Sequence, residues 1–298
     1  MKRVSISDRL VYVLPPRSAR ASFLGCSGLV VRDARTAIID GNMGPDETPA
    51  FLEAEKPDVC VVSHFHVDHS RWAHEAAQVP GVVLHVPRAE LRYLADMDHF
   101  VERCGLPDED MARSWRTWLT QGAGLRPVPD AVPLAPGDVL DLGATRIDVV
   151  DAKGHSPGHQ AYWIAKDRIL FCVDIGVDGF GPWYGWRDAD LLEYVRSIWR
   201  LVELDARLLV TSHGGLIEKD VRTVLLGCLD VMRGRETVIA HDLDEGLDVE
   251  TITARGHIYG DTSRFPPPLD AAYRLWEENM VREHVRIIST GGIDAVDH

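Results

Sequence analysis

Residues 63–70 read Ser-His-Phe-His-Val-Asp-His-Ser, which puts four metal-binding side chains, His64, His66, Asp68 and His69, within six positions. Imidazole and carboxylate are borderline-to-hard ligands that suit zinc, iron or manganese. Packing them so densely is costly unless a cation offsets the repulsion and the lost hydration. Two residues apart on extended backbone, His64 and His66 project to the same side. Asp68 and His69 lie just beyond, where the chain must turn towards a helix, so they can face a second position. The pattern suits a pair of cations better than one tetrahedral zinc.

A pair needs further ligands, and the sequence offers them where apolar, strand-like runs end. Residues 57–62 form a β-branched run behind a proline and lead into the histidine cluster. Residues 146–150 lead into Gly154-His155-Ser156-Pro157-Gly158-His159. Residues 169–173 stop at Asp174, residues 208–212 stop at His213 before Gly214-Gly215, and residues 37–39 stop at Asp40. Loops that follow strands are where an α/β scaffold usually carries its chemistry.

The order HxHxDH, GHSPGH, an aspartate after an apolar strand, then SHGG resembles the metallo-β-lactamase superfamily, in particular its glyoxalase II-like branch. The match runs from about Asp40 to His213. The resemblance implies an α/β fold, an αββα sandwich. It also implies that His64, His66 and His155 hold one metal, that Asp68, His69 and His213 hold the other, and that Asp174 bridges both. Asp40 would orient the cluster from behind by hydrogen bonding, and His159 would do the same without touching a metal. The implied cofactors are two divalent ions, zinc first, with iron or manganese as alternatives. The catalytic residues would be Asp68, which also orients the nucleophile, and Asp174. A hydroxide shared by the two cations would attack a small thioester, lactone or ester. With such a hydroxide no serine or cysteine nucleophile is required.

Three other activities keep the motif. A metal-dependent ribonuclease or phosphodiesterase of the same superfamily would retain every ligand, but the acidic charge counts against it. A mononuclear iron persulfide dioxygenase would use one side of the cluster. A non-catalytic metal-binding regulator would leave the cluster idle, a poor match to an intact ligand set. Aspartate at position 174, where the best-known zinc β-lactamases resemble a cysteine, argues against antibiotic hydrolysis. His66, where flavodiiron relatives have glutamate, argues against those.

At 298 residues and 45% hydrophobic, the chain can bury a large core, and residues 1–298 are expected to form one elaborated domain. A formal net charge of −14 argues against a general nucleic-acid binder and leaves a small molecule as the expected partner. The N-terminus lacks the apolar stretch of a signal peptide, and no span suggests a membrane helix. The five cysteines (26, 60, 104, 172 and 228) are scattered, two of them inside strand-like runs, which suits buried thiols in the cytoplasm.

The remaining pattern says how the ligands are positioned. Strands are expected at residues 10–14, 28–31, 36–39 and 82–86, with a helix starting at Thr48-Pro49 and a short one from Arg71. Residues 87–125 read as a helical insertion of two helices, broken at Gly105-Leu106-Pro107, close to the site. Its Trp115 and Trp118 are candidate pocket residues, or simply the insertion's own core. Residues 138–142 and 146–150 form a hairpin that delivers His155. The loop at 179–186 starts from a ligand strand, and its Trp183 and Tyr184 are further pocket candidates. Tyr184 either hydrogen-bonds the substrate or packs the loop. Residues 188–204 read as an amphipathic helix. From Leu216 to 298 the chain is mostly helical, ending in a helix at 270–288, and serves as substrate rim or homodimer contact. His74, His85, His99, His241, His257, His284 and His298 lack suitably spaced partners and read as structural or solvated.

Overall fold

Period-two alternation along the strands sets the layers. In the computed structural model, which describes all residues except 22–23, 265–268 and 297–298, two sheets face each other. The first holds β1 (Lys2–Ser5), β2 (Leu10–Leu14), β3 (Gly28–Arg32), β4 (Thr36–Ile39), β5 (Val59–Val61), β6 (Val83–Pro87) and β7 (Val132–Leu134) in chain order. Pairing is antiparallel through β4 and parallel from β4 to β7. The second sheet runs in the order β13-β12-β11-β10-β9-β8. Its strands are β8 (Val139–Asp141), β9 (Arg146–Asp151), β10 (Gln160–Ile164), β11 (Ile169–Val173), β12 (Leu208–Thr211) and β13 (Leu216–Ile217), with β11 and β12 parallel.

Leu29, Ile39 and Val61 of the first sheet meet Ile147, Tyr162, Phe171 and Val210 of the second in the central core. The alternate residues point outwards. Val30, Ile38 and Cys60 lie under one helical layer, and Leu170, Cys172 and Leu209 lie under another. This is the expected αββα sandwich.

Along the chain the helices are α1 (Arg17–Ala21), α2 (Thr48–Glu55), α3 (Val67–Ser70), α4 (Ala73–Ala77), α5 (Leu91–Ala95), α6 (Met97–Arg103), α7 (Glu109–Thr117), α8 (Leu191–Glu203), α9 (Val221–Asp244), α10 (Val249–Arg255) and α11 (Leu269–Ile288). Helix α2 has proline in its first turn, as its sequence predicts. Asp108 caps α7 and Asp190 caps α8 through side-chain hydrogen bonds to Met111 N and Glu193 N.

Three boundaries differ from expectation. The first insertion helix is split, because the Asp96 side chain accepts from the amides of Asp98 and His99 and starts α6 afresh. The short helix expected from Arg71 already begins at Val67, so Asp68 and His69 sit on a helical turn instead of a loop. Leu216 and Ile217 pair with β12 before the C-terminal helices begin. Among the described residues no helix is long and apolar enough to cross a membrane.

Helices α8, α9 and α11 form the outer layer over the second sheet, and α10 packs on α11. Within this layer His284 of α11 is fully buried, with Nε2 2.7 Å from the Tyr184 hydroxyl and Nδ1 3.7 Å from Glu236. Burial pushes its pKa below the usual 6.5, although Glu236 pulls the other way. The folded protein therefore binds fewer protons here than the unfolded chain. The resulting stability is complete above the unfolded pKa and is lost as pH falls below it. His284→Gln is expected to flatten the decline of melting temperature between about pH 7 and about pH 5. A variant that declines as steeply as the parent would refute this account.

Candidate metal centre

Every motif singled out in the sequence lies at one end of the sandwich. Asp40 follows β4, His64 follows β5, His155 lies between β9 and β10, Asp174 follows β11 and His213 follows β12. Two of these turns are strained. Asp40 has φ 54° and Val173 has φ 55°, left-handed backbone that is unfavourable above all for β-branched valine. Such conformations cost about 1–3 kcal/mol each and persist only where surrounding structure imposes them. Here they turn Asp40 and Asp174 inwards at the strand ends.

The side chains gather in two groups. Ligand atoms of His64, His66 and His155 lie within 4.8 Å of one another, as do those of Asp68, His69, Asp174 and His213. In the first group His155 Nε2 is 2.9 Å from His66 Nδ1 and 3.2 Å from His64 Nε2. His155 Nδ1 donates to the Trp183 carbonyl at 2.7 Å, which leaves Nε2 with a bare lone pair facing its neighbours. Burial, and then the neighbouring imidazoles, hold His64 well below the usual histidine range. His64 and His69 are fully buried.

Asp174 stands between the groups. Its Oδ2 is 3.1 Å from His69 Nε2 and 3.3 Å from His213 Nε2, and 3.7 Å and 3.9 Å from His155 Nε2 and His64 Nε2. Asp68 Oδ2 reaches His213 Nε2 at 3.2 Å. Burial opposes charge on His213, but Asp174 and Asp68 outweigh it and raise the imidazole to about 10. His213 is also the open side of the cluster, its side chain 33% exposed. His66 Nε2 and Asp174 Oδ1 are buried without a hydrogen-bond partner among the described residues. Converging lone pairs, orphaned acceptors and a mixed imidazole–carboxylate donor set all fit a divalent cation.

A hydrogen-bonded layer fixes these side chains. Asp40 Oδ2 is 2.9 Å from His69 Nδ1, and its Oδ1 accepts from the Ser63 amide at 2.9 Å. His159 uses both ring nitrogens elsewhere: Nδ1 donates to Ala152 O, and Nε2 accepts from the Asp174 amide at 3.2 Å. That leaves neither ring nitrogen free for a cation. Gly154 has φ 121°, and a Cβ there would strike the Tyr194 backbone, so the turn before His155 requires glycine.

Three supports were not legible in the sequence. Glu90 is fully buried and accepts from Ser156 Oγ and the Gly158 amide, tying the insertion to the His155 loop, with burial raising its carboxyl to about 7. Arg235 of α9 donates to the carbonyls of Phe180 and Pro182 and so clamps the loop whose Trp183 carbonyl holds His155. Cys26 lies with Asp40 and His69 behind the second group. Glu90 and Arg235 sit in ordinary helical stretches, and Cys26 lies in a loop without a motif, so no local signal marked them.

The pocket candidates separate. The Trp183 ring lies 5.3 Å from that of His66 and 5.7 Å from that of His155. Trp115 touches Trp186, and Trp118 stacks on Trp115, one ring further from the histidines. Of the two readings of Tyr184, the structure has the packing one: it is fully buried, and its hydroxyl meets His284 and Arg235. Of the other histidines, His257 pairs with Asp242 at 2.7 Å and His241 lies near Glu245, while His298 lies outside the described residues.

The fold and this site define a family, and comparison with known sequences agrees. Residues 23–213 match the Metallo-beta-lactamase superfamily, and the chain belongs to that superfamily. Among curated proteins, it is similar to the acyl-coenzyme A thioesterase MBLAC2 of Gallus gallus. The two are 29% identical over 204 residues, 64% of this chain and 69% of the relative. It is also similar to the hydroxyacylglutathione hydrolase of Rhodobacter capsulatus, 26% identical over 38% of this chain and 32% of that protein. In structure it resembles a metallo-beta-lactamase family protein from Thermus thermophilus, with a TM-score of 0.73, 18% identity and coverage of 96% and 95% of the two chains.

Because Asp40 sets the orientation of His69, Asp40→Asn is expected to weaken divalent-metal binding by roughly 10–100-fold with the fold intact. Chelator competition alongside far-ultraviolet circular dichroism would measure both. Unchanged affinity would remove Asp40 from this role.

Proposed function

We propose that this protein is a dinuclear metal-dependent hydrolase of small thioesters, with lactones and other esters as the neighbouring substrate class. The observation that carries the reading is Asp174 Oδ2, which lies 3.1–3.9 Å from nitrogens of both ligand groups. In this reading His64, His66 and His155 would hold one cation and Asp68, His69 and His213 the other, with Asp174 available to both. Zinc is the first choice, with iron and manganese able to use the same donors.

A bound cation pair supplies Lewis acidity towards a carbonyl oxygen and lowers the pKa of water, effects worth several kcal/mol in the transition state. The chain's own residues do the rest. Asp68 stands at the mouth, its side chain 16% exposed, and orients the attacking water. Asp40 and the Trp183 carbonyl keep His69 and His155 in fixed orientations. In thioester cleavage a C–O bond to water replaces the C–S bond, and the proton ends on the departing sulfur. Cysteine nucleophiles are poor candidates, because all five cysteines are buried and burial pushes their thiols up. The thioesterase and hydroxyacylglutathione hydrolase relatives support a thioester over a phosphodiester, as does the net charge of −14.

Two wider expectations belong to the same proposal. Residues 1–298 act as one domain, because α9 and α11 donate directly into the loop beside His155. The five free, buried thiols support a cytoplasmic setting.

Metal quantification with a panel of thioesters, lactones, phosphodiesters and RNA tests the proposal. Two metals per chain and thioester turnover are expected. Turnover should be lost on chelation, restored by metal, and fall to background in His66→Ala. Turnover that survives in His66→Ala would place the chemistry elsewhere, and one iron per chain would favour the dioxygenase alternative.

A further inference from the structure

Aromatic rings crowd one flank of the cluster. Trp183, Trp186 and Trp276 meet pairwise at 5.6–6.0 Å, with interplanar angles of 80–83°. Such edge-to-face contacts hold large apolar surfaces rigidly. Trp183 and Trp186 reach the His66 ring at 5.3 Å and 6.3 Å. Trp115 of the insertion closes on Trp186 and Trp276 from the far side. Trp183 Nε1 donates to the Tyr259 hydroxyl, and Asn279 of α11 donates to the Gly185 carbonyl at 2.8 Å. Three distant segments therefore build one wall: the insertion, the loop after Asp174, and the C-terminal helices. Trp183 and Trp276 keep part of their surface exposed. The opposite flank is different in kind. There Asp68 and His213 face each other at 3.2 Å, and the cluster opens to solvent.

We propose that the substrate's acyl half is a large apolar group seated against Trp183 and Trp276, with the buried Trp186 backing them, and with the departing thiol on the open Asp68–His213 side. This rests on the thioester reading above and gives it a substrate class. It makes α11, through Trp276, a specificity element, and so assigns the C-terminal section to the substrate rim instead of a dimer contact. Water adds to the acyl carbon, the C–S bond breaks, and acid and thiol leave towards opposite flanks. Each methylene buried against the wall is expected to raise kcat/KM about fourfold, the fold-change that methylene burial converts to.

The test uses the full-length, metal-loaded protein with acetyl-, octanoyl- and phenylacetyl-coenzyme A. The parent should prefer octanoyl or phenylacetyl over acetyl by about tenfold or more. Trp276→Ala should lose that preference, with the loss appearing in the KM for the octanoyl and phenylacetyl substrates, and Trp276→Phe should recover most of it. Equal losses on all three substrates in both variants would mean a structural role and overturn the proposal, as would a parent indifferent to acyl size. Tryptophan fluorescence provides a readout without turnover: octanoate should quench it saturably, acetate should not, and Trp276→Ala should abolish the effect. Octanoate quenching without hydrolysis of any thioester would sink the thioester reading and keep the wall. Brisk acetyl hydrolysis without octanoate binding would do the reverse.

Discussion

Seven side chains that repel or desolvate one another must be held with their ligand atoms in two groups, each within 4.8 Å, at the end of a sandwich where most of them are buried. Left to themselves, the imidazole lone pairs and carboxylates would separate and hydrate. The fold prevents this by fixing strand ends. Parallel pairing of β4 with β5 and of β11 with β12 brings the carboxyl ends of four strands to one edge. The left-handed conformations of Asp40 and Val173 then aim two carboxylates inwards. That strain is stored where the chemistry is, and the apolar interleaving of the two sheets offsets it.

The outer layers take part in this arrangement. His155 has its orientation from the Trp183 carbonyl, and the loop bearing Trp183 is held by Arg235 of α9 and Asn279 of α11. Glu283 of α11 also accepts from the Leu191 amide at the start of α8, and Tyr194 of α8 donates to the Asp174 carbonyl at 2.6 Å. On the other side Glu90 ties the insertion to the Ser156–Gly158 turn. The C-terminal helices and the insertion thus brace the same short loops from opposite directions. Packing defines the shape of the site, while hydrogen bonds from behind define where each lone pair points.

Much of this was legible in one dimension. Ligand spacing is a local property: His64 and His66 alternate on extended backbone, and Asp174 and His213 close apolar runs, so their types and order could be read directly. The strands carried their period-two pattern, α2 carried its first-turn proline, and α7 and α8 carried their capping aspartates. Misreading and ambiguity came where two local signals competed. Asp96 looked like one more helical residue until its side chain captured two amides. Tyr184 stood open between substrate contact and loop packing because it sits in an aromatic loop, and buried partners more than fifty residues away, Arg235 and His284, claim its hydroxyl.

By itself the sequence determined which atoms could bind a cation and the order of the strands that carry them, because both follow from residue type and short-range periodicity, while the sandwich was implied by the family resemblance of its motifs. Only the tertiary structure decided that Asp174 Oδ2 lies between both groups, that Glu90 and Arg235 brace the ligand loops, and that tryptophans from three segments line a single flank. Those facts depend on contacts across tens to hundreds of residues, and neither spacing nor propensity encodes which distant side chain will fill a given gap.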